Sequence, residues 1–292
     1  MSRKLSFVGS FVLLAALALL FPSRIAAQNY DPDHNLKFSD DSLAASRARE
    51  ERIRLELQGL KGHPWAGEYH YGDGLGVIVD LILAPKSGFV FTWNGCLGLY
   101  DLNYGDVEEH DGKIELKLTF PNDREGFHGI APELVPVLWG NRHYLIPSDG
   151  MIEFSNDVNS GFEPCPGEFL CARYLLRHGD DHKRVHGKPG IPTEYLPYLL
   201  NHPIEAAISS IKETHLNGSN RITTVVLSSG SAKGVKREME FHVYRPARKF
   251  ESARVTKVEP TFAEAEIEEF EPSPDSKPPS IGWKLSTNAF HK

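Results

Sequence analysis

Short runs of alternating apolar and polar residues, separated by Gly, Pro and Asp turns, fill the chain between residues 65 and 177. Examples are "GVIVDLILA", "GFVFTWN", "KIELKLTF" and "RHYLIP". Alternation with a period of two is typical of antiparallel strands that bury one face. Because closure removes the unpaired edges of a sheet, the pattern predicts an antiparallel barrel or a curled sheet over residues 63–186.

The first 27 residues have the pattern of a signal peptide. Arg3 and Lys4 precede an apolar run over residues 7–21, and Ala27 is a small residue at the cleavage position. A transmembrane anchor is the alternative, but the run is shorter than the ~20 residues that span a bilayer. We therefore expect an exported protein, periplasmic or extracellular, with no transmembrane span in the mature chain.

The charge of the mature chain argues against nucleic acid as a partner. Removal of the leader takes away three bases and turns the formal charge of -7 into about -10. Proteins that bind nucleic acid need basic patches to neutralise phosphates. An acidic chain of this kind does not meet that requirement.

A helix is predicted within residues 28–62, after a polar stretch. Its N-cap candidates are Asp40, Asp41 and Ser42, and the helix should end at about Gln58, before Gly59. Few of its residues are apolar, so its apolar face is narrow. We expect it to form an arm that lies on a domain or on a partner.

Three cysteines are present, and export places them in an oxidising compartment. Cys165 and Cys171 are close enough in sequence to form a disulfide across a small loop. Cys96 is left over and is expected to be buried, since unpaired cysteine is among the most buried residue types.

The segments "WAGEY" and "GFVFTWNGCLGLYDLNYGDV" are similar in layout to the small lipocalin-like domains of exported bacterial proteins. The resemblance implies a barrel that binds a small apolar molecule, with no catalytic residues. The residues expected to line its wall or core are Trp65, Tyr69, Phe89, Phe91, Trp93 and Tyr100. A ligand-binding barrel should enclose a deep apolar cavity, whereas an assembly module should have a filled interior and an exposed apolar patch.

The C-terminal part of the chain is predicted to form a second small β-barrel over residues 220–270. A proline-rich linker over residues 187–219 should precede it, with a short helix at "IEAAISSIKE". The proline-rich segment at residues 271–292 is poor in apolar residues and is expected to be disordered. The predicted fold class is therefore mainly β, with two barrels and an N-terminal helix.

Residues 230–241, "GSAKGVKREMEF", resemble the G-x-x-x-G-V-x-x-G-M turn of small β-barrels in envelope proteins, including flagellar-assembly and rod-shape-determining proteins. The resemblance implies a tight reversal at Gly230 and Gly234, with Val235 and Met239 closing the barrel. It also implies an envelope protein as partner. Glu238 occupies the place of the third glycine, so we expect an ordinary backbone conformation there.

The tripeptide Arg177-His178-Gly179 resembles the nucleophile motif of the histidine phosphatases. That superfamily needs a parallel α/β sheet, and parallel strands need crossovers of a dozen or more residues. The alternating pattern on both sides of the motif does not predict such a scaffold. The sequence therefore favours a non-catalytic exported protein that binds a small apolar ligand or serves in an envelope assembly, with phosphate-ester hydrolysis as the alternative.

The loop "RHGDDHKRVHG" after this motif contains possible metal ligands: His178, Asp180, Asp181, His182 and His186. Imidazole and carboxylate groups bind zinc and related metals. Charge clusters usually face water, so we expect a solvated loop, and metal binding by it stays an open alternative. No cofactor and no metal site are assigned from the sequence.

Overall fold

The computed structural model describes residues 38–72, 76, 78–96, 98–118, 129–162, 174–244, 252–272 and 277–290. The predicted signal peptide and the predicted disulfide between Cys165 and Cys171 lie outside these residues. No helix within the described ranges combines the length and the apolar character that crossing a bilayer requires.

Eight antiparallel strands between residues 67 and 177 form a closed barrel, as the alternation predicted. They are β1 (Gly67–Gly72), β2 (Ile78–Ala84), β3 (Gly88–Gly95), β4 (Gly98–His110), β5 (Lys113–Leu118), β6 (Glu133–Trp139), β7 (Arg142–Pro147) and β8 (Leu175–Arg177). Each strand pairs with its neighbour in sequence, and β8 returns to β1, where Tyr69 lies opposite Arg177. This order is the usual one, because elements that are consecutive in sequence tend to lie side by side.

Two helices cover the outside of this barrel. Helix α1 (Asp40–Gly59) places the fully buried Ile53 against the outer face of β2, β3 and β4. Helix α2 (Met151–Ser160) places Phe154 against the outer side chains of β6, β7 and β8. The N-cap of α1 is Ser39, whose hydroxyl accepts a hydrogen bond from the backbone N–H of Ser42. The prediction of Asp40, Asp41 or Ser42 as the N-cap was therefore wrong. They lie within the first turn, where acidic residues favour the helix dipole.

Six strands form a second closed barrel, in the order β10-β13-β12-β11-β14-β9. They are β9 (Glu205–Asn217), β10 (Asn220–Leu227), β11 (Glu240–Val243), β12 (Ser252–Val258), β13 (Ala263–Glu269) and β14 (Lys284–Ser286). Every described pairing between them is antiparallel.

Two sequence predictions about this region were wrong. The segment "IEAAISSIKE" is the start of β9 and not a short helix, because Ala206 and Ile208 alternate into the core between β10 and β14. The C-terminal segment is ordered where β14 closes the barrel, and Trp283 and Leu285 are buried there. Backbone pairing with β9 and β11 and the burial of Trp283 and Leu285 accompany this order, despite the proline-rich composition.

The glycine motif of residues 230–241 has the predicted packing, with Val235, Met239 and Phe241 buried in the second core. The expectation for Glu238 was wrong, because its φ is +68°, in the left-handed region that favours glycine. Hydrogen bonds on both sides hold this conformation. Glu238 donates its backbone N–H to Val255 O at 2.7 Å, and its carbonyl accepts from Asn156 Nδ2 at 2.8 Å.

Helix α2 connects the two barrels through hydrogen bonds. The amide of Asn156 lies between Glu238 and Glu240, accepting from the Glu240 backbone N–H at 3.2 Å through its Oδ1. At the end of the helix, Ala289 N donates to Ser160 O at 3.0 Å. The side chain of Asn156 is buried, so its two hydrogen bonds are largely shielded from water.

Candidate functional site

Four of the six aromatic residues predicted to line the first barrel are buried in its core. Trp65, Tyr69, Phe89 and Phe91 have exposed fractions of 3%, 1%, 0% and 0% and belong to one apolar cluster. Trp93 packs against the same cluster, and Tyr100 makes an edge contact with Trp93 at 5.9 Å between ring centroids. Aromatic rings are the largest apolar side chains, so these residues fill much of the space that they surround.

Tyr69 and Arg177 form a polar contact on the inner face of β1 and β8. The hydroxyl of Tyr69 donates to Trp65 O at 2.9 Å and accepts from Arg177 Nη2 at 2.8 Å. The same Arg177 nitrogen donates to the backbone oxygens of His63 and Pro64 at 3.1 Å. Burial raises the pKa of Tyr69 to about 12, although the charge of Arg177 opposes this rise. Arg177 therefore has a structural position inside the barrel.

His178 lies on the opposite face of the same sheet. Its ring stacks on that of His70, with 4.4 Å between centroids and 29° between planes. Consecutive residues of a strand point to opposite faces, and here Arg177 contacts Tyr69 inside while His178 contacts His70 outside. In this geometry the two side chains of the Arg-His-Gly motif do not converge on one phosphate.

Each of the stacked imidazoles has its own carboxylate. His70 Nε2 lies 3.1 Å from Asp181 Oδ1, and His178 Nε2 lies 3.6 Å from Asp80 Oδ1. His70 and Asp80 face each other directly across β1 and β2. Sequence reasoning missed both residues, because the alternation of β1 assigns His70 to the outer face but does not give its cross-strand neighbour.

Asp180 is buried, which contradicts the prediction that the whole loop is solvated. Its exposed fraction is 1%, and it accepts hydrogen bonds from the His143 backbone at 2.7 Å and from His143 Nδ1 at 2.8 Å. Burial raises the pKa of Asp180, but hydrogen bonds from Lys183 and His143 outweigh it, so the net pKa lies below the usual value. Burial also lowers the pKa of His143, against the effect of Asp180.

The β6–β7 hairpin fixes the rest of this loop. Arg142 donates to Lys183 O at 2.6 Å and to Asp181 O at 2.9 Å, and Trp139 Nε1 donates to Gly187 O at 2.9 Å. The side chains of His178, Asp181, His182 and His186 are exposed, as predicted. The loop is thus an anchored surface feature with one buried carboxylate.

Cys96 is exposed, which contradicts the prediction of a buried residue. It follows the end of β3 at Gly95, in the connection to β4. Position in a connecting turn determined its exposure, because turns lie at the ends of a barrel and not within its core.

One edge of β9 in the second barrel has no partner strand among the residues that the structure describes; we call it the β9 edge and define it as residues 209–217. Strand β9 pairs with β14 only over residues 205–207, and Ile208 continues the contact by donating to Trp283 O at 2.9 Å and accepting from Gly282 N at 2.8 Å. Beyond that point, among the residues that the structure describes, β9 pairs only with β10. One side of its backbone is therefore open to another strand.

Two exposed apolar side chains lie along the β9 edge. Ile211 is 39% exposed and Leu216 is 72% exposed. Their partners on β10 are Val225 and Arg221, which are four residues apart and thus share one face. An occupant of the β9 edge would meet both side chains on that face.

Comparison with known proteins gave no relative. No protein-family model, no curated protein and no solved structure matches this chain. The resemblances to lipocalin-like domains and to small envelope barrels therefore stay predictions from the sequence. Function is inferred from the residues of this chain alone.

Proposed function

We propose that this protein is an exported, non-catalytic assembly module of the cell envelope, and that the β9 edge binds an extended segment of a partner protein. The observation that supports this most directly is the nine-residue β9 edge, which carries Ile211 and Leu216 and lacks a partner strand in the described part of the chain. An exposed edge can accept a further strand, whose backbone hydrogen bonds give affinity and whose side chains give specificity.

The interior of the first barrel also supports assembly over the binding of a small apolar ligand. Five of the six predicted wall residues pack in or against one core cluster. Arg177 donates a hydrogen bond to Tyr69, which belongs to that cluster. On this proposal the aromatic residues stabilise a rigid support, and recognition takes place on the second barrel.

The β9 edge carries features that restrict indiscriminate pairing. Register shifts occur on β10 between Thr224 and Val225 and between Val226 and Leu227. Lys212, near the middle of the edge, forms an ion pair with Glu264. Bulges and lysine on an edge are common defences against aggregation. A partner strand must therefore fit a defined shape and offer apolar side chains to Ile211 and Leu216.

Hydrogen exchange tests the proposal directly. The probe is an array of synthetic 12-residue segments from the exported proteins of the host, followed by exchange measurements on the best binder. We expect protection of residues 209–217 and a loss of binding of tenfold or more in an Ile211→Asp, Leu216→Asp double variant. The matched control is Leu55→Asp, since Leu55 is 66% exposed on α1.

Two results would contradict the assignment. Binding without protection of residues 209–217 would place the partner elsewhere. A concentration-dependent dimer in sedimentation, abolished by the double variant, would identify a second copy of this chain as the occupant.

Phosphate-ester hydrolysis remains the alternative from the sequence, and one assay separates it from assembly. Arg177 and His178 face opposite sides of the sheet, so we expect no hydrolysis of p-nitrophenyl phosphate that depends on His178. The measurement compares the purified chain with His178→Ala. Hydrolysis lost in the variant would restore the phosphatase.

A further inference from the structure

A second group of acidic and imidazole side chains lies on the hairpin of β4 and β5. The connecting residues Asp111 and Gly112 have φ values of +50° and +76°. Two left-handed residues in a two-residue loop give the turn that matches the twist of paired strands. The turn fixes the register, with His110 opposite Lys113 and Glu108 opposite Glu115.

The register places three possible metal ligands on the outer face. Ile114 and Leu116 point into the core, so Glu115 between them points outward. Glu108 lies directly opposite Glu115, and His110 lies two residues further along β4, on the same face. Three ligand side chains thus project from two paired strands, which form a more rigid support than a loop.

The ligand atoms have the spacing of a metal site. His110 Nε2 lies 3.1 Å from Glu115 Oε2 and 3.4 Å from Glu108 Oε2, and the ligand atoms all lie within 4.8 Å of one another. Ligand atoms around tetrahedral zinc, at bond lengths of about 2.0–2.2 Å, are separated by roughly 3.4 Å. No other group of three such residues converges in this way within the described ranges.

The surrounding charges favour a cation at this position. Glu133 lies opposite Glu115 on β6, so three carboxylates form one row across three strands. Like charges directly opposite each other are destabilising. Lys113 pairs with Glu133 at 3.0 Å, and Lys117 pairs with both Glu115 and Glu108. Because two lysine charges face three carboxylates, the row retains a negative charge that these lysines do not balance.

The stacked pair of His70, on β1, and His178, which directly follows β8, does not offer a comparable set of metal ligands. His70 and His178 stack face to face, and each contacts a different aspartate. Ring nitrogens bind a metal in the plane of the ring, and the Nε2 atoms of this stacked pair point to two different aspartates, so they do not converge on one ion. The histidine-rich loop found in the sequence is thus a weaker candidate than the hairpin.

We infer that Glu108, His110 and Glu115 form a binding site for a divalent transition metal of the zinc class, with at least one position open to water. One imidazole and two carboxylates form a suitable donor set for such an ion. The ammonium group of Lys117 competes with a metal ion for Glu108 and Glu115. Its ion pairs with them are partly exposed and therefore weak. Zinc binding would displace the ammonium group from the two glutamates.

Zinc titration of the untagged, chelator-treated mature chain tests this site. Calorimetry should give one Zn²⁺ per chain, with affinity reduced at least tenfold in His110→Ala and in Glu115→Gln. Lys117→Met should increase the affinity, because it removes the competing cation. The matched control is His178→Ala, which should leave zinc affinity unchanged.

Circular dichroism of the metal-free variants provides the folding control, since the mutated side chains are exposed or half-exposed. A zinc affinity that is unchanged in His110→Ala would overturn the site. Loss of zinc binding in His178→Ala would also overturn it and would assign the ion to the stacked pair. Binding only at millimolar zinc would mean an adventitious ion only.

Discussion

Glu238 has a left-handed backbone in the turn that begins β11, where an L-residue pays a steric penalty because of its Cβ. The conformation persists because Val255 and Asn156 hold the two peptide groups beside it. Non-glycine residues in this region cost on the order of 1 kcal/mol or more. The surrounding structure therefore imposes a conformation that the side chain opposes.

Two substitutions of Glu238 distinguish the contribution of backbone strain from that of the side-chain contacts. Glu238→Gly should raise the free energy of unfolding by up to about 1 kcal/mol, because relief of strain exceeds the added freedom of the unfolded chain. Glu238→Ala keeps the Cβ and should change stability by less than about 0.5 kcal/mol. Urea unfolding measures both values. A glycine variant less stable than the alanine variant would contradict the explanation.

Tyr69 gives a pH-dependent prediction at the same scale. Its pKa is about 12 in the folded barrel and about 10 in an unfolded chain, so the folded state holds the proton more tightly. This contribution to stability is full below pH 10 and is lost as the pH rises from 10 to 12. The difference in unfolding free energy between the wild type and Tyr69→Phe, measured at pH 9 and pH 11, should therefore shrink as pH rises. A constant difference would contradict the shift.

Helix α1 lies on the first barrel as an arm, as its narrow apolar face predicted. Its residue Ile53 is fully buried at the contact between the helix and the barrel. Polar contacts supplement this anchor: Arg49 Nη1 donates to Gly105 O at 2.6 Å, and Glu56 accepts from the backbones of Lys86 and Ser87 at 3.0 and 2.8 Å. Contacts to backbone groups thus position a helix that has little apolar surface.

Removal of the apolar anchor should loosen this element. Ile53→Ala should lower the free energy of unfolding by about 2–4 kcal/mol and increase protease cleavage within α1, because it creates a cavity in a buried contact. Leu55→Ala is the matched control, since Leu55 is 66% exposed and should cost less than about 0.5 kcal/mol. Equal effects of the two changes would show that α1 is not held by Ile53.

The whole molecule depends on a strand near its C-terminus. β14 pairs with β11 and with β9, so it closes the second barrel over a long separation in sequence. Trp283 and Leu285 belong to the core that this closure buries. Contacts from Ala289 to α2 connect the same segment to the first barrel.

Truncation tests this closure. A chain that ends at Pro279 should lose cooperative unfolding of the second barrel and the hydrogen-exchange protection of β9 and β11, because both strands lose a partner. A chain that ends at Phe290 keeps β14 and should retain both. Full protection in the shorter chain would contradict the role of β14.

The sequence by itself determined the fold class, because the direction of a strand side chain alternates locally and turn residues act locally. The strand β1 with Tyr69 facing inward could therefore be predicted. The burial of Val235 and Met239 was implied by the resemblance of residues 230–241 to the turn of small envelope barrels. The same local signals predicted helix α1. They did not give the N-cap at Ser39, because neighbouring residues offered equivalent side chains.

Only the tertiary structure decided which distant residues meet. The pairing of β9 with β14, the stacking of His70 on His178 and the convergence of Glu108, His110 and Glu115 all depend on register between strands. Register is a property of two segments and of the turn that joins them, and no single segment records it. The same reason explains Glu238, whose backbone is fixed by partners from β12 and α2 and not by its own preference.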